Sequence, residues 1–569
     1  MVAAAAGDAL GWPQELRSQR VGRRDSTSPG LQFQAWSRRP GGRFLPYEEP
    51  VHKGEYSDDT QLALCTARSL VGGSESWIHF GTVELPLWSI YERGAGGATK
   101  RAVASWLVGE PPWEMRKAED RRKYFEAGGN GVAMRVHPLA IFRSTDQDFS
   151  SLALGICANG VATHGHPRAL VGGLAHGFAL WTVLRQSQTL AYGEIIERLL
   201  DSTRAWGALP DLEKAWPGWL RAAESTTEGR YENVWRETVA EMVALLEECR
   251  SSMRMGALSM EREVLDRMGC FDHARGGAGT ITAAAATFLA SRYASDPLHG
   301  LLEGAFAKGA DTDTLASMTG ALLGSLRGSD WIASYEEELQ DAPYLRTTAD
   351  TLTFRARPIA EPRQTALLTK RGLDSFAKHL FERRRGDRIA LPDGRTGRVV
   401  DILPLGSTTV DVQICRIALE DGQHISVKQV RRRTDKPEQR PAALATIESR
   451  AIATKSKPKI GVKIPVANLT RARAFYEETL GLEITKETAA FVTVAGNLAL
   501  TAANGGGIQA NLIPSSGMCI TIEVGEIGTL FQTIKRSGAT ITSEIQAIRG
   551  RQRFTFKDPD GNPIEAVQV

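Results

Sequence analysis

The chain has 569 residues, 42% of them hydrophobic and 24% charged, with 69 Lys+Arg against 66 Asp+Glu. That balance excludes a disordered chain, which would be poorer in apolar residues, and a net charge of +3 gives no global reason to expect nucleic acid or membrane binding. The length allows about three or four domains, or one large domain with smaller ones attached.

The cysteines (Cys65, Cys157, Cys249, Cys270, Cys415, Cys519) form no CxxC pair and stand at no zinc-like spacing from a His. They read as reduced, mostly buried thiols. The opening MVAAAAGDALGW lacks a basic n-region and Asp8 interrupts it, which makes a poor signal peptide. The most apolar stretch, TITAAAATFLA at 280–290, is Ala-rich and short of the ~18 residues a membrane-spanning helix needs. The expectation is a cytoplasmic protein with no membrane partner.

Along residues 1–350, helical periodicity marks 58–70, 167–184, 191–205, 234–249, 280–292 and 312–326, while strand-like alternation is scarce. This predicts one large, mainly helical domain. Between its first elements, 12–56 carries Pro, Gly, Arg and aromatics without periodicity and reads as a long irregular connection. A helical stretch at 365–383 leads into 386–433, where β-branched runs are separated by DG steps at 393–394 and 421–422. That module, 365–433, reads as a helix plus a small antiparallel β-barrel, followed by a polar linker at 434–458. From 459 to 569, GVKIPVANLTRARAFYEETLGLEI and CITIEVGEIGTLFQTIKRSGATIT repeat one strand–helix–strand order. They predict an α+β domain of two βαβββ-type repeats.

Three acidic motifs carry the chemistry: GDALGWPQE at 7–15 with Asp8 and Glu15, YSDDTQ at 56–61, and GADTDT at 309–314. Adjacent carboxylates repel, so Asp58–Asp59 and Asp311-x-Asp313 need something to offset their charge. A divalent cation is one answer, and an all-oxygen donor set favours Mg²⁺ or Mn²⁺ over zinc or copper. Both clusters precede apolar helical runs, which places the ligands at helix starts. Each alone reads rather as a helix N-cap, and their joint occurrence with GDALG favours the metal site.

GDALGWPQE, YSDDTQLAL, GGNGVAMRV (128–136), THGHPRA (163–169) and GADTDTLASMTGALLG (309–324) together resemble the ADP-ribosylglycohydrolases of the dinitrogenase-reductase-activating type, in the family's order. The resemblance implies an all-α catalytic domain over 1–350 with a two-magnesium centre, and hydrolysis of the glycosidic bond between ADP-ribose and an acceptor. It implies metal ligation by Ser57, Asp58, Asp59, Asp311, Asp313 and Thr314. It places Glu15 near the scissile bond, the Gly129–Asn130–Gly131 loop on ADP-ribose, and His164 near the pyrophosphate or ribose, with His166 as a substitute. Either Glu15 or Asp59 could activate water. The chain starts almost at GDALG, so its first helix is either short or truncated. Six tryptophans crowd the first 113 residues. They read as core, with Trp12 the best placed to stack on adenine or on the acceptor.

Residues 459–569 resemble the vicinal-oxygen-chelate superfamily of glyoxalases and bleomycin-resistance proteins, through IPVANLTRARAFYEETLGLEI and FTFKDPDGNPIEAVQV. Glu565 matches that superfamily's metal-binding Glu, but its other ligand positions fall at or near Gly461 and Met518 or Cys519. A small-ligand site or a homodimer contact is expected there rather than metal chemistry. The middle module concentrates Arg383, Arg384, Arg385, Arg388, Arg395, Arg398, Arg431, Arg432 and Arg433, so nucleic-acid phosphate is a candidate partner. Two competing readings stand beside hydrolysis of an ADP-ribosylated protein or other acceptor. One is a non-hydrolytic ADP-ribose sensor, and the other is a ligand-binding or lyase function in the C-terminal domain.

Overall fold

The computed structural model describes all residues except 21–31, 39–46, 73–74, 187–189, 257–259, 356–367, 406–409 and 433–461, together with 467, 481, 483, 488–490, 495–497, 503–519, 525, 549–550, 560–562 and 569. The linker at 434–458 and the positions Gly461, Met518 and Cys519 lie outside the described residues. The chain divides into two units, Met1–Glu438 and Gln439–Val569.

The first unit is built on helices: α1 (Val2–Arg20), α2 (Asp58–Val71), α3 (Pro167–Leu184), α4 (Tyr231–Met255), α5 (Gly279–Arg292), α6 (Pro297–Ala305) and α7 (Thr312–Arg327), with further helices between them. Helix α5 is buried along Gly279–Ser291. An Ala-rich helix that is apolar all round belongs in the centre of a domain, which explains TITAAAATFLA without a membrane. No described helix is long and apolar enough to cross one.

Helices α1 and α7 pack backbone to backbone. A Cβ at Gly7 would lie 2.3 Å from the Ala316 carbonyl oxygen, one at Gly11 2.2 Å from that of Thr312, and one at Gly320 2.3 Å from that of Ala3. The glycines of GDALG therefore serve a helix crossing. The structure corrects one expectation here. Helix α1 is long, and it runs through Pro13 to Arg20, where an irregular connection is expected from residue 12. Proline withdraws one helical hydrogen bond, but the tight packing against α7 outweighs that local loss. Further along the same segment, strands β1 (Trp36–Arg38) and β2 (Glu49–Val51) pair antiparallel, with Arg38 opposite Glu49.

The middle module opens with helix α8 (Lys370–Leu380). Its strands β3 (Arg388–Ala390), β4 (Thr396–Leu405), β5 (Val410–Leu419) and β6 (His424–Arg432) form a curled antiparallel sheet in sequential order, with β3 and β6 at its edges. One apolar core runs from the helical domain into this sheet, including Leu373, Ile389, Val399, Ile417 and Val427. Several of its arginines are committed to acidic neighbours: Arg395 to Asp393 and Asp421, Arg388 to Glu420, and Arg431 to Asp411.

In the second unit, strands β7 (Val462–Val466), β8 (Ile484–Glu487), β9 (Phe491–Val494) and β10 (Leu498–Ala502) make a sheet of order β7-β10-β9-β8. Strands β11 (Ile520–Val524), β12 (Ile541–Ile548), β13 (Arg551–Lys557) and β14 (Pro563–Gln568) repeat that order as β11-β14-β13-β12. In both sheets the first strand pairs parallel with the last, as an internal duplication requires. Glu565 on β14 is half-buried and pairs with Arg553 on β13 at 3.3 Å. The contact is to one carboxylate oxygen, Oε1.

Candidate metal centre

The α1–α7 crossing carries Glu15, on α1, to the N-terminus of α7. There, one carboxylate oxygen each from Glu15, Asp311 and Asp313 lie within 4.8 Å of one another. Asp311 stands at the N-cap position of α7 but makes no side-chain capping bond, so the capping explanation fails for it. Asn130 reaches across from its loop and donates from Nδ2 to Asp311 Oδ2 at 2.9 Å.

Helix α2 brings the second acidic motif to the same place. Ser57 does cap it, its Oγ accepting from the Asp59 N–H at 3.2 Å. Asp58 and Asp59 occupy the first turn, both buried. The hydroxyl of Thr314 donates to Asp59 Oδ1 at 3.2 Å, whereas Asp59 Oδ2 is buried without a hydrogen-bond partner. Asp8, about two turns before Glu15 on α1, accepts the N–H of Ser57 at 2.9 Å, and the N–H and hydroxyl of Thr60 at 3.0 and 2.6 Å. Asp8 thus holds the start of α2 in place, a role its motif alone does not reveal.

Electrostatics mark this cluster as unusual. Burial, then the charge of Asp311 and Asp8, pushes Glu15 up to about 8. Burial and neighbouring carboxylates push Asp58, Asp59 and Asp313 well above the usual carboxylate range. Such crowded carboxylates share protons or hold a cation. The donors are all hard oxygens, and one buried carboxylate oxygen lacks any partner. These residues fit a divalent metal of the Mg²⁺ or Mn²⁺ type.

The glycine-rich loop closes another side. Gly129 bridges to Ala278, and Asn130 N–H donates to the Gly277 carbonyl at 2.9 Å. The latter N–H is therefore not available to a phosphate. A Cβ at Gly131 would lie 2.6 Å from the His164 ring. His164 is buried against this loop with Nδ1 2.8 Å from the Thr163 hydroxyl, and burial pushes its pKa down to about 3, so the ring is neutral. His166 caps α3 by accepting from Arg168 N–H at 3.1 Å. Sequence reasoning missed the segment RGGAG at 275–279, whose Gly277 would place a Cβ 3.3 Å from Asp311 Oδ2. Its clustered glycines were the available signal.

Trp12 is 3% exposed, set edge-to-face on Trp36 at 5.1 Å, with Arg38 and Arg93 over its ring at 5.5 and 5.8 Å. It is core beneath the site and cannot stack on a ligand. Two surface depressions, of ≈ 410 and ≈ 490 Å³, share no lining residue with the acidic cluster.

A helical domain with an acidic centre at two helix starts defines the class of protein. The ADP-ribosylglycohydrolase family model matches residues 1–363, and the chain belongs to this family. Its members are metal-dependent glycohydrolases, in keeping with the acidic cluster. Residues 460–566 match the Glyoxalase/Bleomycin resistance protein/Dioxygenase superfamily. Among solved structures, an ADP-ribosylglycohydrolase-related protein complex is 22% identical, covering 63% of this chain and 97% of that one, with a TM-score of 0.38. Lactoylglutathione lyase from Agrobacterium tumefaciens is 16% identical, over 20% of this chain and 96% of that one, at a TM-score of 0.16. TnmS3, an antibiotic binding protein from Streptomyces sp. CB03234, is 17% identical, over 20% of this chain and 98% of that one, at 0.17. No curated protein matches.

Proposed function

We propose that the chain hydrolyses the glycosidic bond between ADP-ribose and an acceptor at a two-magnesium centre. The observation that carries this reading is the convergence of Glu15, Asp311 and Asp313 beside Asp59, whose Oδ2 is buried without a partner. Ser57, Asp58, Asp59, Asp311, Asp313 and Thr314 would hold the metal, although the Ser57 and Thr314 hydroxyls now serve Asp59 N–H and Asp59 Oδ1. Bound there, divalent cations supply Lewis-acid polarisation and lower the pKa of bound water.

Glu15 is half-buried, whereas Asp59 is 2% exposed. Accessibility makes Glu15 the better base, taking the proton from the attacking water onto a carboxylate oxygen. The remaining carboxylates stabilise the positive charge that develops as the glycosidic bond breaks. Asn130 fixes Asp311, and the Gly129–Gly131 loop, itself held by Gly277 and Ala278, would face the nucleotide portion.

The test is a panel of acceptors carrying ADP-ribose on arginine, serine or nucleic acid, incubated with and without Mg²⁺, with free ADP-ribose followed. Magnesium-dependent release from at least one acceptor is expected. Tight ADP-ribose binding without turnover on any of them would replace the hydrolase with a sensor.

A further inference from the structure

The middle module touches the acidic centre's supports at several points. The first is Asp341, whose side chain is fully buried. It accepts the Tyr56 hydroxyl at 2.6 Å, the His424 backbone N–H at 3.1 Å and His424 Nδ1 at 2.8 Å. Tyr56 immediately precedes Ser57, Asp58 and Asp59, and His424 begins strand β6. The second point is Lys428, also on β6. Its ammonium lies 3.5 Å from Glu92 and 3.9 Å from Glu49, and its N–H donates to the Ile90 carbonyl at 3.3 Å.

The 90–94 loop is itself wrapped on the acidic segment. A Cβ at Gly94 would lie 2.9 Å from Asp58 Oδ1. Gln61, in the first turns of α2, donates to the Tyr91 carbonyl and accepts the Arg93 N–H, both at 3.1 Å. Further contacts come from Arg416 to Glu55 at 3.1 Å, and from Arg68 at the far end of α2 to Gln423 at 3.0 Å. The sheet therefore grips α2 near both of its ends, as well as the loop beside Asp58.

We propose that the β-sheet module, which lies outside the residues matched by the family model, is a positioning element for the metal centre, acting through His424–Asp341–Tyr56 and Lys428–Glu92. This deepens the reading above and rests on it. The module holds the first turn of α2 so that Asp58 and Asp59 are already set when a cation arrives. Ligand groups fixed in advance bind more tightly than ligands that must be ordered on binding. Tyr56, Lys428 and His424 are positioning residues and touch no reacting atom.

The experiment measures Mn²⁺ binding by the full chain from the electron paramagnetic resonance of the free ion, with thermal unfolding of the metal-free protein alongside. Tyr56→Phe and Lys428→Met should each raise the Mn²⁺ dissociation constant about 3- to 10-fold, somewhat below the loss typical of a direct outer-shell partner. Lys428→Arg should restore it to within about twofold, since it keeps the charge beside Glu92. Lys123→Ala, on a remote exposed pair, should leave it unchanged. If Tyr56→Phe and Lys428→Met lower the unfolding temperature but bind Mn²⁺ as the parent does, the module only stabilises and the proposal is overturned. If the parent chain binds no Mn²⁺, the metal centre itself fails and this proposal with it. Binding without hydrolysis removes the hydrolase reading but leaves the positioning role standing.

Discussion

The hydroxyl of Thr312 donates to the carbonyl of Gly11 at 2.8 Å, where the backbones of α1 and α7 are so close that a Cβ on Gly11 would stand 2.2 Å from the Thr312 carbonyl oxygen. One residue to either side of Thr312 are Asp311 and Asp313, and four residues beyond Gly11 is Glu15. This crossing is what delivers the acidic residue of the first motif to those of the last. Gly11→Ala should separate the helices, destabilise the protein by about 1–3 kcal/mol as over-packing does, and abolish metal binding. Gly96→Ala, where a Cβ meets nothing within 4 Å, is the control. Chemical unfolding of both variants, read beside Mn²⁺ binding, checks it. Equal behaviour of the two would show that the crossing is not needed.

The carboxylates of the cluster oppose one another until a cation arrives. Asp313→Asn imitates the protonated acid that burial, with the charges of Glu15 and Asp311, already favours. The metal-free variant should unfold no lower than the parent. Its metal-induced gain in unfolding temperature should vanish, and hydrolysis should fall on the order of 100-fold or more. Thermal shift with and without Mg²⁺, followed by rates on the best acceptor, checks both halves. A variant that still gains stability from metal would remove Asp313 from the ligand set.

Much of this was legible in the sequence because periodicity and motif chemistry agree there. The run predicted at 167–184 is α3 as observed, and the acidic motifs do sit at the starts of α2 and α7. What escaped was set by long-range packing. Pro13 reads locally as a breaker, but it lies inside α1 because Gly7 and Gly11 let that helix press on α7. Asp8 has no role legible in its motif, and only the fold shows it bonded to Ser57 and Thr60. Among the arginines of the middle module, Arg395 pairs with Asp393 in its own turn and with Asp421 in the turn between β5 and β6, a partnership its sequence neighbours only half reveal. Trp12 has the ring a nucleotide could stack on, and burial under Trp36 removes it.

In the C-terminal unit, Glu565 pairs with Arg553 at 3.3 Å, both about a quarter exposed in their side chains. A partly exposed pair of this kind contributes about 0–1 kcal/mol. Glu565→Gln should therefore leave unfolding nearly unchanged, and it should leave the metal stoichiometry and the hydrolysis rate of the full chain unchanged. Metal content after dialysis, with the rate, measures this. Loss of a bound metal in the variant would move the chemistry to the vicinal-oxygen-chelate domain.

The raised carboxylates also set a pH dependence with a definite sign. Glu15 moves from an ordinary 4.5 to about 8, so between those values the folded, metal-free protein holds a proton that the unfolded chain has released. Stability rises with pH only where the unfolded state binds more protons, so this group makes the metal-free protein less stable as pH rises toward 8. Asp58, Asp59 and Asp313 are raised too and act in the same direction. Buried His137, His164 and His176 and half-buried His166 have lowered pKa values and act oppositely below their ordinary 6.5, so the informative window is pH 7 to 8. Within it a cation must displace the protons, and its affinity should climb with pH. The metal-induced gain in unfolding temperature should be larger at pH 8 than at pH 7. Asp313→Asn should flatten that difference, and the comparison cancels every other titrating group, the Met1 amine included. A gain that shrinks as pH rises from 7 to 8 would mean that the cation does not replace protons on these carboxylates.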